Sequence, residues 1–262
     1  MTASTYSVAN PFLQEQPKQH ILASAYTQDA KDERNRLVLL PHELHIYAAA
    51  ELTAVPLDAI TDLRTVYRKW VGAIVAGGLV ACFSLLGILF TVGAYMWLIL
   101  TFFAGLFVLG IGHWGSWSIE VVTEKGGQYF SISRHQKEIT GFCKLVHRRL
   151  RARKQYQPLR IAHIVSRSDW MAQEASSHYH HPSLDSEGFI HTCEPEQVQG
   201  VLERSFKGQD DLLLLWLKPE LLEAKLLFEP ANDVQDYFPH VFGPINKSAI
   251  EEIVPVAIQR MS

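Results

Sequence analysis

No charged residue falls between Lys69 and Glu120 in this 262-residue chain. That gap excludes a single soluble domain, because charged side chains make up about 25% of ordinary soluble sequence and are distributed along it. Cysteine is scarce, and Cys82, Cys143 and Cys193 lack the paired spacing of a disulfide scaffold or zinc framework. The first twenty residues contain no apolar run, so a secretory signal peptide is not expected. Apart from His113, at a helix foot, the gap has no group that titrates near neutrality, which removes support for a channel or transporter.

The gap itself is made of two apolar runs, 70–90 and 95–113, separated by Thr91-Val92-Gly93-Ala94. Each run approaches the roughly 20 residues that span a bilayer core of about 30 Å. The short uncharged turn predicts a tight transmembrane hairpin with both feet on one side. Tyr67, Trp70, Trp114 and Trp117 suit one interface, and Tyr95 and Trp97 the other. Arg64, Arg68 and Lys69 precede the first run and a basic segment follows the second. The positive-inside rule therefore predicts an integral inner-membrane protein with both termini cytoplasmic. The alternative, a buried core hairpin, would need more surrounding chain than is present to cover so much uncharged surface.

Charge divides the rest. Residues 1–69 carry a net −1, 120–154 a net +6 and 155–262 a net −8. The basic segment reads as a solvated helix face that also orients the hairpin, with attraction to anionic lipid as the functional alternative. The phospholipid bilayer is thus the expected partner. Nucleic acid is not expected, because the segment beyond is acidic.

Residues 1–30 are expected to be a weakly ordered tail. Leu37-Val38-Leu39-Leu40 and Leu44-His45-Ile46-Tyr47 read as strands about a turn, and 118–123 and 129–132 as a hairpin through Gly126-Gly127. In 136–153, Ile139, Phe142, Leu145, Val146 and Leu150 recur at helical spacing. Strands closed by an amphipathic helix resemble the bacterial membrane-associated pleckstrin-homology-like domains. The resemblance rests on 37–47, Val55-Pro56-Leu57-Asp58-Ala59-Ile60 and Gly126-Gly127, and implies one such domain over 31–154, interrupted by the hairpin.

After a linker at 155–158, residues 159–262 suffice for one compact α/β or α+β domain. Strands are expected at 159–165, 188–191, 211–217, 224–228 and 253–258. Helices are expected after Ser166 or Ser168 and from Pro195. Seven ordered landmarks lie here: Ile161-Ala162-His163-Ile164, Asp169-Trp170, Pro182-Ser183-Leu184, Glu187-Gly188-Phe189-Ile190-His191, Pro195-Glu196-Gln197-Val198, Asp210-Asp211-Leu212 and 238–246. On these the segment resembles domain-of-unknown-function family 952. The resemblance implies a fold like that of the ADP-ribosyltransferases and tRNA 2′-phosphotransferases, a pocket, and NAD or a related nucleotide as ligand. The family's activity is not established, so no substrate follows.

Five histidines, His163, His178, His180, His181 and His191, fall within 163–191. The resemblance implies ribose and nucleotide contacts for His163 and His191, each weighed against an ordinary core or surface role. Glu229, at a strand end, and Glu187 compete as the carboxylate that stabilises a ribosyl cation. Ser183 and Ser186 suit a phosphate or a turn. Phe189, Phe238 and Phe242 suit a stacked base or a core. Gly188, Gly243 and His240 complete the expected ligand site, where Gly243 permits a close backbone approach. The histidine-tyrosine-glutamate triad of the transferases is not readable. His178, His180, His181 and Cys193 are too crowded, and too poor in supporting partners, to predict a metal.

The expected function is a membrane-tethered cytoplasmic domain that binds NAD or a related nucleotide and transfers or cleaves its ribosyl group, an ADP-ribosyl or 2′-phosphate type of transferase. The rival is a non-catalytic ligand- or protein-binding module displayed at the inner membrane.

Overall fold

A computed structural model of the chain describes residues 5–7, 21–29, 32–90, 95–133, 137–231 and 233–256. They form a mixed α+β structure in two compact units, 1–61 with 136–262, and 62–135.

In the first unit an eight-stranded sheet is built from both ends of the sequence. Its N-terminal strands are β1 (Thr5–Ser7), β2 (Ala23–Tyr26), β3 (Arg36–Leu39), β4 (Glu43–Ala48) and β5 (Glu51–Pro56). The strands expected around 37–47 are therefore present. Alternation of buried Leu44 and Ile46 with half-buried His45 gives β4 one core face. Helix α3 (Lys137–Lys154) buries Ile139, Phe142, Leu145, Val146 and Leu150, the stripe that the helical spacing predicts.

The C-terminal segment supplies β9 (Ile161–Ser166), α4 (Arg167–Met171), β10 (His178–Tyr179), α5 (Ser183–Glu187), β11 (Ile190–His191), α6 (Val198–Ser205), β12 (Leu212–Leu217), β13 (Lys225–Ala231), β14 (Asp236–Phe242), β15 (Ile245–Asn246) and β16 (Ile250–Pro255). Ser166 caps α4, accepting a hydrogen bond from the Asp169 N–H at 3.1 Å. β12 pairs antiparallel with β9 and β16, while β10 pairs with β15. The two-residue strands β10 and β15 and the seven-residue β14 are not among the expected strands. Residues 257–258, expected in the last strand, lie outside the described residues.

Two boundaries differ from those expected. Ala23–Tyr26, inside the expected tail, is an interior strand because Ala23 and Ala25 alternate into the core; residues 1–4 and 8–20 lie outside the described residues. β2 pairs antiparallel with β3 and, at Ala23 and Phe228, parallel with β13, so the sheet runs β1-β5-β4-β3-β2-β13-β14-β11. Residues 155–158 therefore lie within one compact unit. α3 is bound to the same region through Arg148, which donates to Glu194 and, at 2.9 Å, to Asp236; Arg149 also pairs with Glu194. Glu194 is fully buried, and partners of this kind are what permit a carboxylate there.

The second unit holds β6 (Ile60–Arg68), β7 (Ser116–Thr123) and β8 (Gly126–Ile132) as one sheet, with α1 (Val71–Phe90) and α2 (Tyr95–His113) between β6 and β7. The two helices match the expected apolar runs to within a residue, and the turn at 91–94 lies outside the described residues. They approach closely through small residues: a Cβ at Gly77 would lie 2.4 Å from the Leu109 nitrogen, and one at Gly105 2.6 Å from the Ala81 nitrogen. Ser84 donates to Thr101 at 2.9 Å across the pair. Both helices are long and apolar enough to cross a membrane, and in their most apolar windows only 17% and 11% of residues are buried in the protein. This apolar surface is largely uncovered by protein, unlike that of a core hairpin.

Candidate functional site

β9 divides its side chains between two cores. Ile161 and Val165 pack with Trp170, Tyr179, Ile190, Val241 and Ile245, whereas Ala162 and Ile164 pack with Cys193, Leu212 and Leu214. The two-residue period puts His163 on the side of Ile161 and Val165. There its ring lies 5.4 Å from Tyr179 and 5.1 Å from His181, and Tyr179 is 5.7 Å from Trp170.

The hydrogen bonds fix what each ring offers. His163 Nδ1 lies 2.8 Å from the His191 carbonyl oxygen. A carbonyl only accepts, so Nδ1 carries the proton and Nε2 of the neutral ring presents a lone pair. That Nε2 and the Tyr179 hydroxyl are both buried, and among the described residues neither has a hydrogen-bond partner. His163 is 3% exposed and Tyr179 0%. Burial pushes His163 down to about 4, so its ring is neutral at pH 7, and burial also pushes the Tyr179 phenol up. His181 Nδ1 accepts from the Ser183 N–H at 3.1 Å, leaving its Nε2 as the donor of the neutral ring. Burial, followed by the nearby His191, lowers its pKa too. These three neighbouring side chains thus offer an acceptor, a hydroxyl and an N–H donor beside an apolar core.

A second cluster occupies the neighbouring strand face. His191 pairs with His240 in the β11–β14 register. Phe189 stacks on His240 at 4.1 Å and 14°, while His191 and Phe242 lie 4.9 and 5.5 Å from Phe189. His240 Nδ1 lies 2.7 Å from Glu229, and His191 Nε2 lies 3.0 Å from Glu187. Burial lowers the His240 pKa, opposed by its bond to Glu229. His163, His191, Glu229, Glu187, Phe189, His240 and Phe242 are consequently linked through two adjoining clusters, with the His191 backbone as their junction.

The remaining expected site residues have other placements. Phe238 packs with the second core beside Ala162 and Cys193. Ser183 donates to the Phe189 carbonyl at 2.8 Å and Ser186 to the Pro182 carbonyl at 3.3 Å, so both hydroxyls close turns. Gly188 caps α5 with φ +87°, a left-handed conformation with open space where a side chain would be. At Gly243 the close approach is to Ala224, whose Cβ would lie 2.9 Å from an added Cβ. His178 and His180 lie 3.2 and 3.4 Å from Glu223 and Asp185, and burial pushes the Cys193 thiol up to about 12.

Sequence reasoning missed Tyr179 and underused His181. Their signal was a single alternation, His178-Tyr179-His180, too short to mark a strand until β15 paired with it.

Residues 164–253 match the model of a family described as "Protein of unknown function (DUF952)". The segment includes the strand of His163 from its next residue onward, Tyr179, His181 and all of the second cluster. It is similar to the Caulobacter crescentus protein CC0527. A crystal structure of that protein is 28% identical, covering 38% of this chain and 89% of the other, at a TM-score of 0.36. A double-mutant crystal structure, with the same coverage and TM-score, is 27% identical. A solution structure, also 27% identical, covers 38% of this chain and 87% of the other at a TM-score of 0.32. No curated protein matches the chain.

Proposed function

We propose that the DUF952 segment binds NAD or a related ribonucleotide and transfers or cleaves its ribosyl group, as part of an inner-membrane protein with cytoplasmic termini. The observation that carries this reading is the pair of buried atoms His163 Nε2 and Tyr179 OH, which find no hydrogen-bond partner among the described residues. Leaving such groups unsatisfied costs about 1–3 kcal/mol each. A ribose diol offers what they lack: a hydroxyl to donate to Nε2 and an oxygen to accept from the phenol. His181 adds an N–H suited to a second sugar or phosphate oxygen.

In this reading the bound nucleotide supplies the ribosyl group and its leaving base. His163 and Tyr179 orient the sugar, and His191 extends the contact toward the strand face. Glu229 or Glu187 provides the negative charge that an oxocarbenium-like centre requires. An ADP-ribosyltransferase-like fold for 159–262 and a pleckstrin-homology-like domain over 31–154, interrupted by the helix pair, belong to the same reading. The uncovered apolar helices, α1 and α2, support the membrane anchor.

The rival, a non-catalytic binding module, draws on a different observation. Glu229 and Glu187 are each engaged by a histidine, and Phe189 is already stacked on His240. Both carboxylates and one aromatic face are thereby occupied within the protein.

Calorimetric titration of the detergent-solubilised full chain with NAD, ADP-ribose and nicotinamide separates the two. The nucleotide reading predicts heat with NAD or ADP-ribose, weakened about tenfold or more by Tyr179→Phe, which removes only the hydroxyl. Folded protein that gives no heat with any of the three at millimolar concentration would leave the binding module.

A further inference from the structure

α3 carries more cations than its carboxylates answer. Arg148 and Arg149 are held by Glu194, with Asp236 also on Arg148, and Arg153 is paired with Asp58. Lys144, Arg151 and Lys154 are exposed, and among the described residues none has a carboxylate partner. Their spacing of seven and then three residues puts them on one helix face, with His147 between Lys144 and Arg151. Like charges so placed repel one another, and nothing in their own sequence neighbourhood relieves that repulsion.

The stripe borders a concavity. A groove of about 470 Å³ is lined by Thr61, Lys144, His147, Arg151 and Lys154, over a floor that includes Leu150, with Glu196 its lone acid. A second groove, of about 510 Å³, shares Leu150 and Lys154 and adds Asp58 with its partner Arg153. A volume of this size accommodates a small polar headgroup. The uncompensated charge calls for an anion with several oxygens, since ammonium and guanidinium groups bind phosphate from different sides.

We infer that the face of α3 marked by Lys144, Arg151 and Lys154 is a binding site for the phosphate headgroup of an anionic phospholipid. This rests on the membrane part of the proposed function and not on the nucleotide part. The lipid source is favoured because the same chain carries two uncharged helices of 20 and 19 residues, long enough to cross a bilayer. Basic residues near a membrane surface gain directly from anionic headgroups. The site differs from a diffuse polybasic attraction, because ion pairs withdraw Arg148, Arg149 and Arg153, and of the four Lys and Arg residues that remain on the helix Lys144, Arg151 and Lys154 line the groove whereas Lys137 does not.

The test uses the full chain in neutral detergent, titrated with water-soluble dioctanoyl phosphatidylglycerol, dioctanoyl phosphatidylcholine and inorganic phosphate. The phosphatidylglycerol should bind at least tenfold more tightly than the choline lipid. A Lys144→Gln, Arg151→Gln, Lys154→Gln triple variant should lose that preference by about tenfold or more, with its thermal midpoint unchanged. Lys207→Gln, which removes an exposed lysine that lines neither groove, should retain the preference. Equal binding of the two lipids, or an undiminished preference in the triple variant, overturns the site. Inorganic phosphate binding as tightly as phosphatidylglycerol overturns the lipid source. Extraction of the chain from membranes by salt alone would instead refute the integral anchor, and is read independently of these titrations.

Discussion

The ring of His163 donates through Nδ1 to the His191 carbonyl oxygen across 2.8 Å, joining a buried cluster of rings to a more exposed strand face. One bond therefore sets the tautomer of the inner ring and the position of the outer residue. Anything that disturbs the His191 strand should be felt at His163 Nε2.

This arrangement has a pH signature. Burial holds His163 at about 4, against 6.5 for the solvent-exposed side chain of the unfolded chain. As acid is added, the unfolded chain takes up the proton first. The full stability is present above 6.5, falls as pH drops toward about 4, and levels below it. The difference is at most about 3 kcal/mol. Gln at 163 retains an N–H for the His191 carbonyl and does not titrate. The urea midpoint of the wild type should fall more steeply from pH 6.5 to 4 than that of His163→Gln; parallel slopes would contradict a neutral buried imidazole.

Arg148→Met leaves the fully buried Glu194 with less compensation and removes the bond to Asp236. Removing one partner of a buried pair costs about 3–5 kcal/mol. Scanning calorimetry should show a clear fall in the midpoint for Arg148→Met. The double variant Arg148→Met, Glu194→Gln should recover part of the loss, since it also withdraws the stranded charge.

A fragment of residues 155–262 lacks both α3 and β2. Phe228 loses its pairing with Ala23 and its 2.7 Å amide bond to the Leu22 carbonyl, while Glu194 and Asp236 lose Arg148. Amides of β13 should exchange with deuterium much faster in the fragment than in the full chain. Equal protection would mean that the N-terminal elements do not support this edge of the sheet.

The helix pair tolerates side chains unevenly. A Cβ at Gly77 meets the Leu109 backbone at 2.4 Å, whereas one at Gly110 meets nothing within 4 Å. Gly77→Val should lower the thermal midpoint of helical circular dichroism in detergent by several degrees, an effect of roughly 2 kcal/mol or more. Gly110→Val should leave it nearly unchanged. Equal shifts would place the helix contact elsewhere.

The uncharged run between Lys69 and Glu120 by itself determined two long apolar helices, because a stretch without charge and of that length has few other conformations open to it. The apolar stripe of α3 was equally legible, since each of its residues is read against neighbours only three or four positions away. The ordered landmarks from Ile161 to Asn246 located the C-terminal family segment. Tertiary structure alone decided that Ala23–Tyr26 joins β13, that Tyr179 stands beside His163, and which arginines on α3 are already paired. The physical reason is range. Side-chain periodicity says which face of an element is apolar, but backbone hydrogen bonds between distant strands carry no residue signature. Charges as far apart in sequence as Arg148 and Asp236 acquire their meaning only when folding removes the water between them.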